Sequence, residues 1–191
     1  MTDTLISKTF EDHAKLLVET KNVLSENITD AVKMISESLA NSGTLFWCGN
    51  GGSAADSQHM AAEFVGRFKK DRKPLRSIAL TTDSSVITCV SNDYCYDDVF
   101  VRQIEALGRP GDVLVAISTS GQSENVKRAL NICKIIGVKT IALLGKDGGV
   151  CKELAEIALV VPSDVTARIQ EMHILIEHLV CELVEVELGY G

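Results

Sequence analysis

No stretch of this sequence is apolar for long enough to cross a bilayer. The longest apolar runs, such as 157–161, fall far short of the roughly 20 residues a spanning helix needs. The first ten residues carry no apolar core of signal-peptide type. These absences predict a protein that stays in the cytoplasm. Cysteine occurs at Cys48, Cys89, Cys95, Cys133, Cys151 and Cys181, but no two form a C-x-x-C pair, so zinc-ribbon and thioredoxin-like readings lose their usual signal. Most of the six sit in apolar segments and are expected to be buried, reduced thiols. There is no G-x-G-x-x-G fingerprint and no P-loop. Excess positive charge is also missing. A net charge of −7 removes any general attraction for nucleic acid or anionic lipid. Basic residues do cluster at Arg67, Lys69, Lys70, Arg72, Lys73 and Arg76, with Phe68 the only aromatic among them, and read as a solvated helix end and loop. No internal repeat, low-complexity tract or Pro/Gly linker divides the 191 residues, which predicts one domain: helices over 1–42, an α/β core over 43–162 and a C-terminal helix over 163–191.

What the sequence does have is an alternation of short apolar runs and helix-length segments. Residues 4–41 show helical spacing. Ile6, Phe10, Leu17 and Leu24 fall near one stripe, Val32, Ile35 and Leu39 continue it, and Ser25 or Asn27 is placed to cap a second helix. His13 lies close to the first stripe and reads as a packing residue. After Gly43 the pattern changes. Runs at 44–48, 77–80, 113–117, 138–144 and 157–161 are continuously apolar, as in strands covered on both faces. Segments 54–68, 99–107 and 124–136 between them are long enough for helices. Strands alternating with helices predict crossover units and a parallel sheet. Pro162 ends the last strand. A long helix follows over about 165–188, with Ile169, Met172, Ile176, Leu179 and Leu183 as its core stripe. Leu175, Cys181 and Val184 add apolar surface on other sides, which predicts burial against another element or subunit.

Ligands of an open parallel sheet bind beyond the carboxyl ends of its strands. Two loops there carry chemistry. Gly49-Asn50-Gly51-Gly52-Ser53 leads from the first strand into a helix, and its glycines let backbone N–H groups approach a ligand at a helix start. Ser118-Thr119-Ser120-Gly121-Gln122-Ser123 sets four hydroxyls round a glycine at another helix start, a setting that suits a phosphate monoester. Simple capping by Ser120 or Ser123 is the alternative. With no Walker lysine, a nucleoside triphosphate is not expected. Ionisable side chains are also paired by spacing. His59 and Glu63 are four apart and share a helix face, a geometry for a metal or for an acid and a base. On the last helix Gln170 and His178 lie on nearly the same side, but His173 and Glu177 are also four apart, and spacing leaves open which histidine faces the site.

Five stretches together make a more specific pattern: CGNGGSAADSQHMAAEFVGRF (48–68), SNDY (91–94), AISTSGQSENV (116–126), LLGKDGG (143–149) and ARIQEMHILIEH (167–178). In this order they resemble the sugar isomerase (SIS) family and, more narrowly, the phosphoheptose isomerases, over essentially the whole chain. The resemblance implies a five-stranded parallel sheet flanked by helices in a flavodoxin-like three-layer sandwich. It implies a homotetramer with sites at subunit interfaces and a divalent metal, zinc foremost. It also implies conversion of D-sedoheptulose 7-phosphate to D-glycero-D-manno-heptose 7-phosphate, the entry to activated heptose. Carried over residue by residue, it assigns metal ligation to His59, Glu63, Gln170 and His178, and acid–base work to Glu63 and His178. Substrate contacts fall on Asn50, Gly51, Gly52, Ser53, Glu63, Asn92, Asp93, Ser118, Thr119, Ser120, Ser123 and Gln170. Glu171, His173 and Glu177 receive no role and read as structural.

The chemistry is consistent with that assignment. Ketose–aldose interconversion needs a base at carbon, an acid at oxygen and stabilisation of developing negative charge. Glu63 as base and His178 as proton donor is the favoured allocation, with the reverse as the alternative. A carboxylate held tightly on zinc is a poor base, which sets the two roles of Glu63 against each other. Three rival readings stand beside the isomerase. One is a non-catalytic SIS-fold adaptor of the kind that binds the replication initiator DnaA, from which the histidine at 178 separates this chain. Another is a sugar-phosphate-sensing regulator, and the third an isomerase of a different phosphosugar.

Overall fold

The computed structural model describes residues 2–190. In chain order the elements are α1 (Thr2–Ala40), β1 (Leu45–Gly49), α2 (Gly52–Val65), β2 (Ser77–Ala79), α3 (Ser84–Asp93), a 3-10 turn (Tyr96–Asp98), α4 (Val101–Leu107), β3 (Val113–Ser118), α5 (Glu124–Ile136), β4 (Lys139–Leu144), α6 (Gly149–Leu154), β5 (Ile157–Val160) and α7 (Thr166–Glu185). A π-helical turn over Val186–Tyr190 closes the chain. The five strands are all parallel, in the order β2-β1-β3-β4-β5.

The unbroken apolar strands have a direct cause. Successive side chains point to opposite faces, and both faces of β1, β3 and β4 are covered, whereas the edge strand β2 exposes Ile78 and β5 is only partly buried. Leu45, Trp47, Val113, Val115, Ile117, Ile141 and Leu143 pack with Ile28, Ile35, Met60, Phe64, Ile169 and Ile176 from α1, α2 and α7. Phe46, Cys48, Leu114, Ala116, Ala142 and Leu144 pack with Ile104, Val126, Leu130 and Cys151 from α4, α5 and α6. Burying each large side chain contributes about 1.5–3 kcal/mol relative to leaving it exposed.

The helices correct several sequence expectations. Thr2–Ala40 is one unbroken helix, not two. The Ser25 hydroxyl donates to Lys21 O one turn back, at 2.6 Å, so it continues the helix instead of capping a new one. The Asn27 amide reaches Ala158 O at 3.5 Å. The buried stripe of α1 is Leu16, Thr20, Leu24, Ile28, Ala31, Val32 and Ile35, while Ile6, Phe10 and Leu17 face outward with Leu5, Val18 and Val23. Of the expected first stripe only Leu24 is buried; Ile6, Phe10 and Leu17 lie on the outer side of the helix. His13 is not packed in a core but half-exposed, its Nδ1 2.7 Å from Glu171 Oε2. On α7 the buried face is Ile169, Met172, His173, Ile176, Glu177, Val180, Cys181 and Val184, with Leu179 exposed and Leu183 at the margin. α3 and α6 were not foreseen. Among the cysteines, Cys48, Cys133, Cys151 and Cys181 are buried, Cys89 is exposed and Cys95 intermediate. No helix among the described residues is long and apolar enough to cross a membrane.

His173 carries a pH consequence. It is fully buried, and its Nε2 donates to Leu144 O at the end of β4, at 2.9 Å. Burial holds the imidazole down to about 4 from an ordinary 6.5, with the Leu144 carbonyl pulling partly the other way. The unfolded chain takes up this proton near pH 6.5 and the folded chain only near pH 4, so stability is complete above the higher value and drains away toward the lower. By about pH 5 the loss reaches roughly 2 kcal/mol. Urea denaturation at pH 7 and pH 5 is expected to show a smaller drop for His173→Gln than for the unmodified protein. Equal drops would assign the acid sensitivity to other groups.

Candidate active site

The strand order reverses between β1 and β3, and the loops leaving these two strands are the glycine loop 49–53 and the serine loop 118–123. They flank the crevice where open α/β sheets bind ligands. Asn50 joins them. Its side-chain amide and that of buried Asn125, in the first turn of α5, exchange two hydrogen bonds of 2.9 Å each. The Tyr96 hydroxyl donates to Asn50 Oδ1 as well, at 2.8 Å. Asn125 and Tyr96 had no sequence signal beyond adjacency to the loops.

The serine loop leaves donors free. Ser118 Oγ accepts from Gly121 N, and Ser120 Oγ accepts from Gln122 N, both at 3.2 Å. Ser118 and Ser123 hydroxyls lie 3.2 Å apart. Ser123 is the N-cap of α5 and makes no side-chain cap bond, so the capping alternative fails at Ser123. Ser120 accepts from Gln122 N, which precedes α5, so it caps no helix end either, and among the described residues its own O–H donates no hydrogen bond. Gly121 has φ +63°, and a Cβ there would collide with the Gly148 carbonyl. A Cβ on Gly149, at φ +52°, would lie 2.6 Å from Gly121 O. Two glycines back to back thus let the turn before α6 prop the serine loop, and Cys151 N donates to Gly121 O at 3.1 Å. Glu124 lies in the first turn of α5, where a carboxylate would repel an anion. Hydrogen bonds from Lys127 and then Arg128 engage it and hold its pKa below the usual carboxylate range.

The second half of the site comes from α2 and α7. His59 Nε2 lies 3.2 Å from Glu63 Oε1 and 3.4 Å from His178 Nε2. The two imidazoles meet edge to face, with centroids 5.1 Å apart. Gln170 leans over the glycine loop: a Cβ on Gly52 would come within 2.5 Å of its Nε2. The structure therefore places His59, Glu63 and His178 together, with Gln170 at the neighbouring loop, and settles that His178, not His173, faces this site. Asn92 and Asp93 sit at the exposed end of α3, where the Asn92 amide donates to Asp93 Oδ1 at 2.8 Å; among the described residues neither hydrogen-bonds to the glycine loop or the serine loop. Thr119 is half-buried, and Ser53 is buried at the start of α2. Gly51 precedes α2 with φ 58°, a conformation that favours glycine.

Two further residues complete the surroundings. Phe68 stacks on His178, with centroids 5.5 Å apart and planes inclined by 20°. Asp56, one turn before His59, is lifted by burial, against which the His59 and His178 charges pull it down. Its spacing from His59 was the available sequence signal. Glu177, beside His178 in sequence, is buried with neither carboxylate oxygen hydrogen-bonded. Burial and then the Asp56 charge push it up to about 8, which favours the neutral acid over the carboxylate.

Two imidazoles and a carboxylate are donor types that a divalent metal takes. One proton on His59 Nε2 cannot serve both of its close contacts, whereas lone pairs from two imidazoles and a carboxylate are satisfied by one cation. Ligand atoms about 2.0–2.1 Å from a tetrahedral zinc would be about 3.3 Å apart, close to the two separations seen. Among the described residues no three such side chains already close round one point. Glu63, His59 and His178 form a chain of neighbours.

The SIS domain family matches residues 9–145. The phosphoheptose isomerase of Helicobacter pylori (strain P12) is 50% identical over 185 residues, covering 97% of this chain and 96% of that protein. The solved phosphoheptose isomerase GmhA of Neisseria gonorrhoeae is 41% identical with a TM-score of 0.92, covering 97% of this chain and 100% of that one. That of Francisella tularensis is 38% identical with a TM-score of 0.94, covering 97% and 99%. The chain belongs to the SIS-domain family and, within it, to the phosphoheptose isomerases, enzymes that isomerise phosphosugars.

Proposed function

We propose that this protein interconverts D-sedoheptulose 7-phosphate and D-glycero-D-manno-heptose 7-phosphate, the first step toward activated heptose, in the cytoplasm. The observation that carries the reading is the meeting of Glu63, His59 and His178 at the ligand-binding edge of a sheet whose serine loop offers free donors. The serine loop binds the phosphate through the hydroxyls of Ser118, Thr119, Ser120 and Ser123 and the open start of α5. Asn50, Gly51, Gly52 and Ser53 line the sugar chain, with Asn92 and Asp93 at its far side. Anchoring the remote phosphate presents C1 and C2 to the acid–base pair, the positioning effect. Glu63 removes the carbon-bound proton, His178 protonates the carbonyl oxygen, and the enediol collapses with the roles reversed. His59, Glu63, Gln170 and His178 would hold zinc, which when bound polarises the carbonyl and orients the ketol oxygens.

We place the active form as a homotetramer with sites at subunit interfaces. Leu5, Ile6, Phe10, Val18 and Val23 leave an apolar stripe of α1 exposed on the single chain, which a neighbouring subunit would cover. NMR of sedoheptulose 7-phosphate with the protein, with and without added zinc, is expected to show the aldose signal growing fastest with metal. Sedimentation of the same sample is expected to give a tetramer. No product from any sugar phosphate would replace the isomerase reading by the adaptor one, and a stable, active monomer would refute the assembly.

A further inference from the structure

Arg72 belongs to the basic cluster that the sequence alone places in solvent. Instead its side chain is fully buried, and its partner Glu185 is 2% exposed. All three guanidinium nitrogens are engaged. Nε donates to Glu185 Oε1 at 2.8 Å, Nη1 to Phe64 O at 2.9 Å and to Lys73 O at 3.2 Å, and Nη2 to Glu63 O at 2.9 Å. The Glu63 and Phe64 carbonyls belong to the last turn of α2, which has no helical partners for them. Glu185 accepts three more bonds, from the backbone N–H groups of Phe68, Lys69 and Lys70 at 3.1–3.2 Å. Burial alone would raise the Glu185 carboxyl, but these N–H groups and Arg72 hold it below its usual range.

Burying an ion pair costs several kcal/mol per charge, and packed apolar side chains often match it in stability. What such a pair supplies here is directionality. One end of the network is the backbone of Glu63 itself. The other passes through Phe68, whose ring lies against the His178 imidazole. Glu185 lies seven residues after His178, so it stands two turns along the same face of α7. The network thus ties together the two helices that carry Glu63 and His178.

We infer that the buried Arg72–Glu185 pair is a positioning device for the acid–base pair, fixing Glu63 through its main chain and His178 through the Phe68 ring. This rests on the roles given to Glu63 and His178 above. The purely structural alternative is that the pair only closes the end of α2.

The test uses Glu185→Gln and Arg72→Lys in the full-length protein, well below their melting temperatures. Turnover is expected to fall about 10²-fold, with KM for the phosphosugar within about threefold, because misplacing reacting groups affects the chemical step and not the phosphate anchor. A second readout needs no turnover. The protein has four histidines, His13, His59, His173 and His178. In nitrogen-15 imidazole spectra of the metal-free variants, the His178 and His59 signals are expected to move while those of His13 and His173 stay. Lower stability with unchanged kcat and unmoved His178 signals would overturn the inference, as would a rise in KM alone. If neither variant folds, Phe68→Leu decides. It keeps the backbone N–H to Glu185 but removes the ring stack, and an unchanged kcat and His178 signal there would overturn it. An inactive unmodified protein would instead refute the isomerase roles, and the imidazole spectra would still report on the clamp.

Discussion

Glu63→Gln is expected to lower turnover by at least about 10²–10⁴-fold, the loss typical of removing a general acid or base, while the protein still binds its phosphosugar. The substitution keeps side-chain size and one oxygen that can face a metal, but it removes the basic charge. The serine loop lies on another element and is untouched. His178→Gln is expected to lose as much or more, because it removes an imidazole 3.4 Å from His59 and the proton donor together. His173→Gln is the control on the same helix. Its imidazole points into the core at Leu144 O, away from His59 and Glu63. It should retain most turnover at pH 7 if it folds. The measurement is kcat and KM for all three, with circular dichroism to confirm folding. Loss of turnover in a folded His173→Gln but not in His178→Gln would put the wrong histidine in the site, and normal turnover in all three would discard the mechanism.

The second large effect lies in the serine loop. Ser118→Ala with Ser120→Ala is expected to raise KM steeply with the fold intact. Each hydrogen bond lost to the charged phosphate costs about 1.5–3 kcal/mol, so the pair together weakens binding by roughly 10²–10⁴-fold. The geometry explains why the fold survives. Both hydroxyls act as acceptors for local backbone N–H groups, at 3.2 Å; the buried Gly121 N–H also donates to the Ser118 carbonyl at 3.2 Å, and the exposed Gln122 N–H can turn to water. Among the described residues the O–H hydrogen of Ser120 serves no other bond, and that is the part a phosphate would use. An unchanged KM in the double variant would remove the phosphate from this loop. A rise in KM with unchanged kcat would mark the loop as uniform binding and not transition-state stabilisation.

The sequence by itself determined the fold class, because continuous apolar runs separated by helical spacing admit few arrangements other than a covered parallel sheet. α5 was legible to the residue, bounded by Ser123 and by Gly137 in the left-handed region at φ 80°. The site's residue types were legible as well, since His59 and Glu63 share one helix face by spacing alone. Where contacts cross between elements, local pattern fell short. α1 has apolar residues on more than one side, so its inner face was set by α7 and β5 and not by its own periodicity. α3 was missed although Asp83 caps it, accepting from Val86 N at 3.0 Å, because only Val90 in it is buried and no core stripe announces it. Arg72 read as solvated because a charged side chain is expected outside unless its partner is known, and Glu185 is distant in sequence. The choice of His178 over His173 was likewise tertiary. Both lie on α7, but the turn of that helix sends one toward the end of β4 and the other toward His59 and Phe68. Spacing fixes which residues share a face; only packing decides what that face meets.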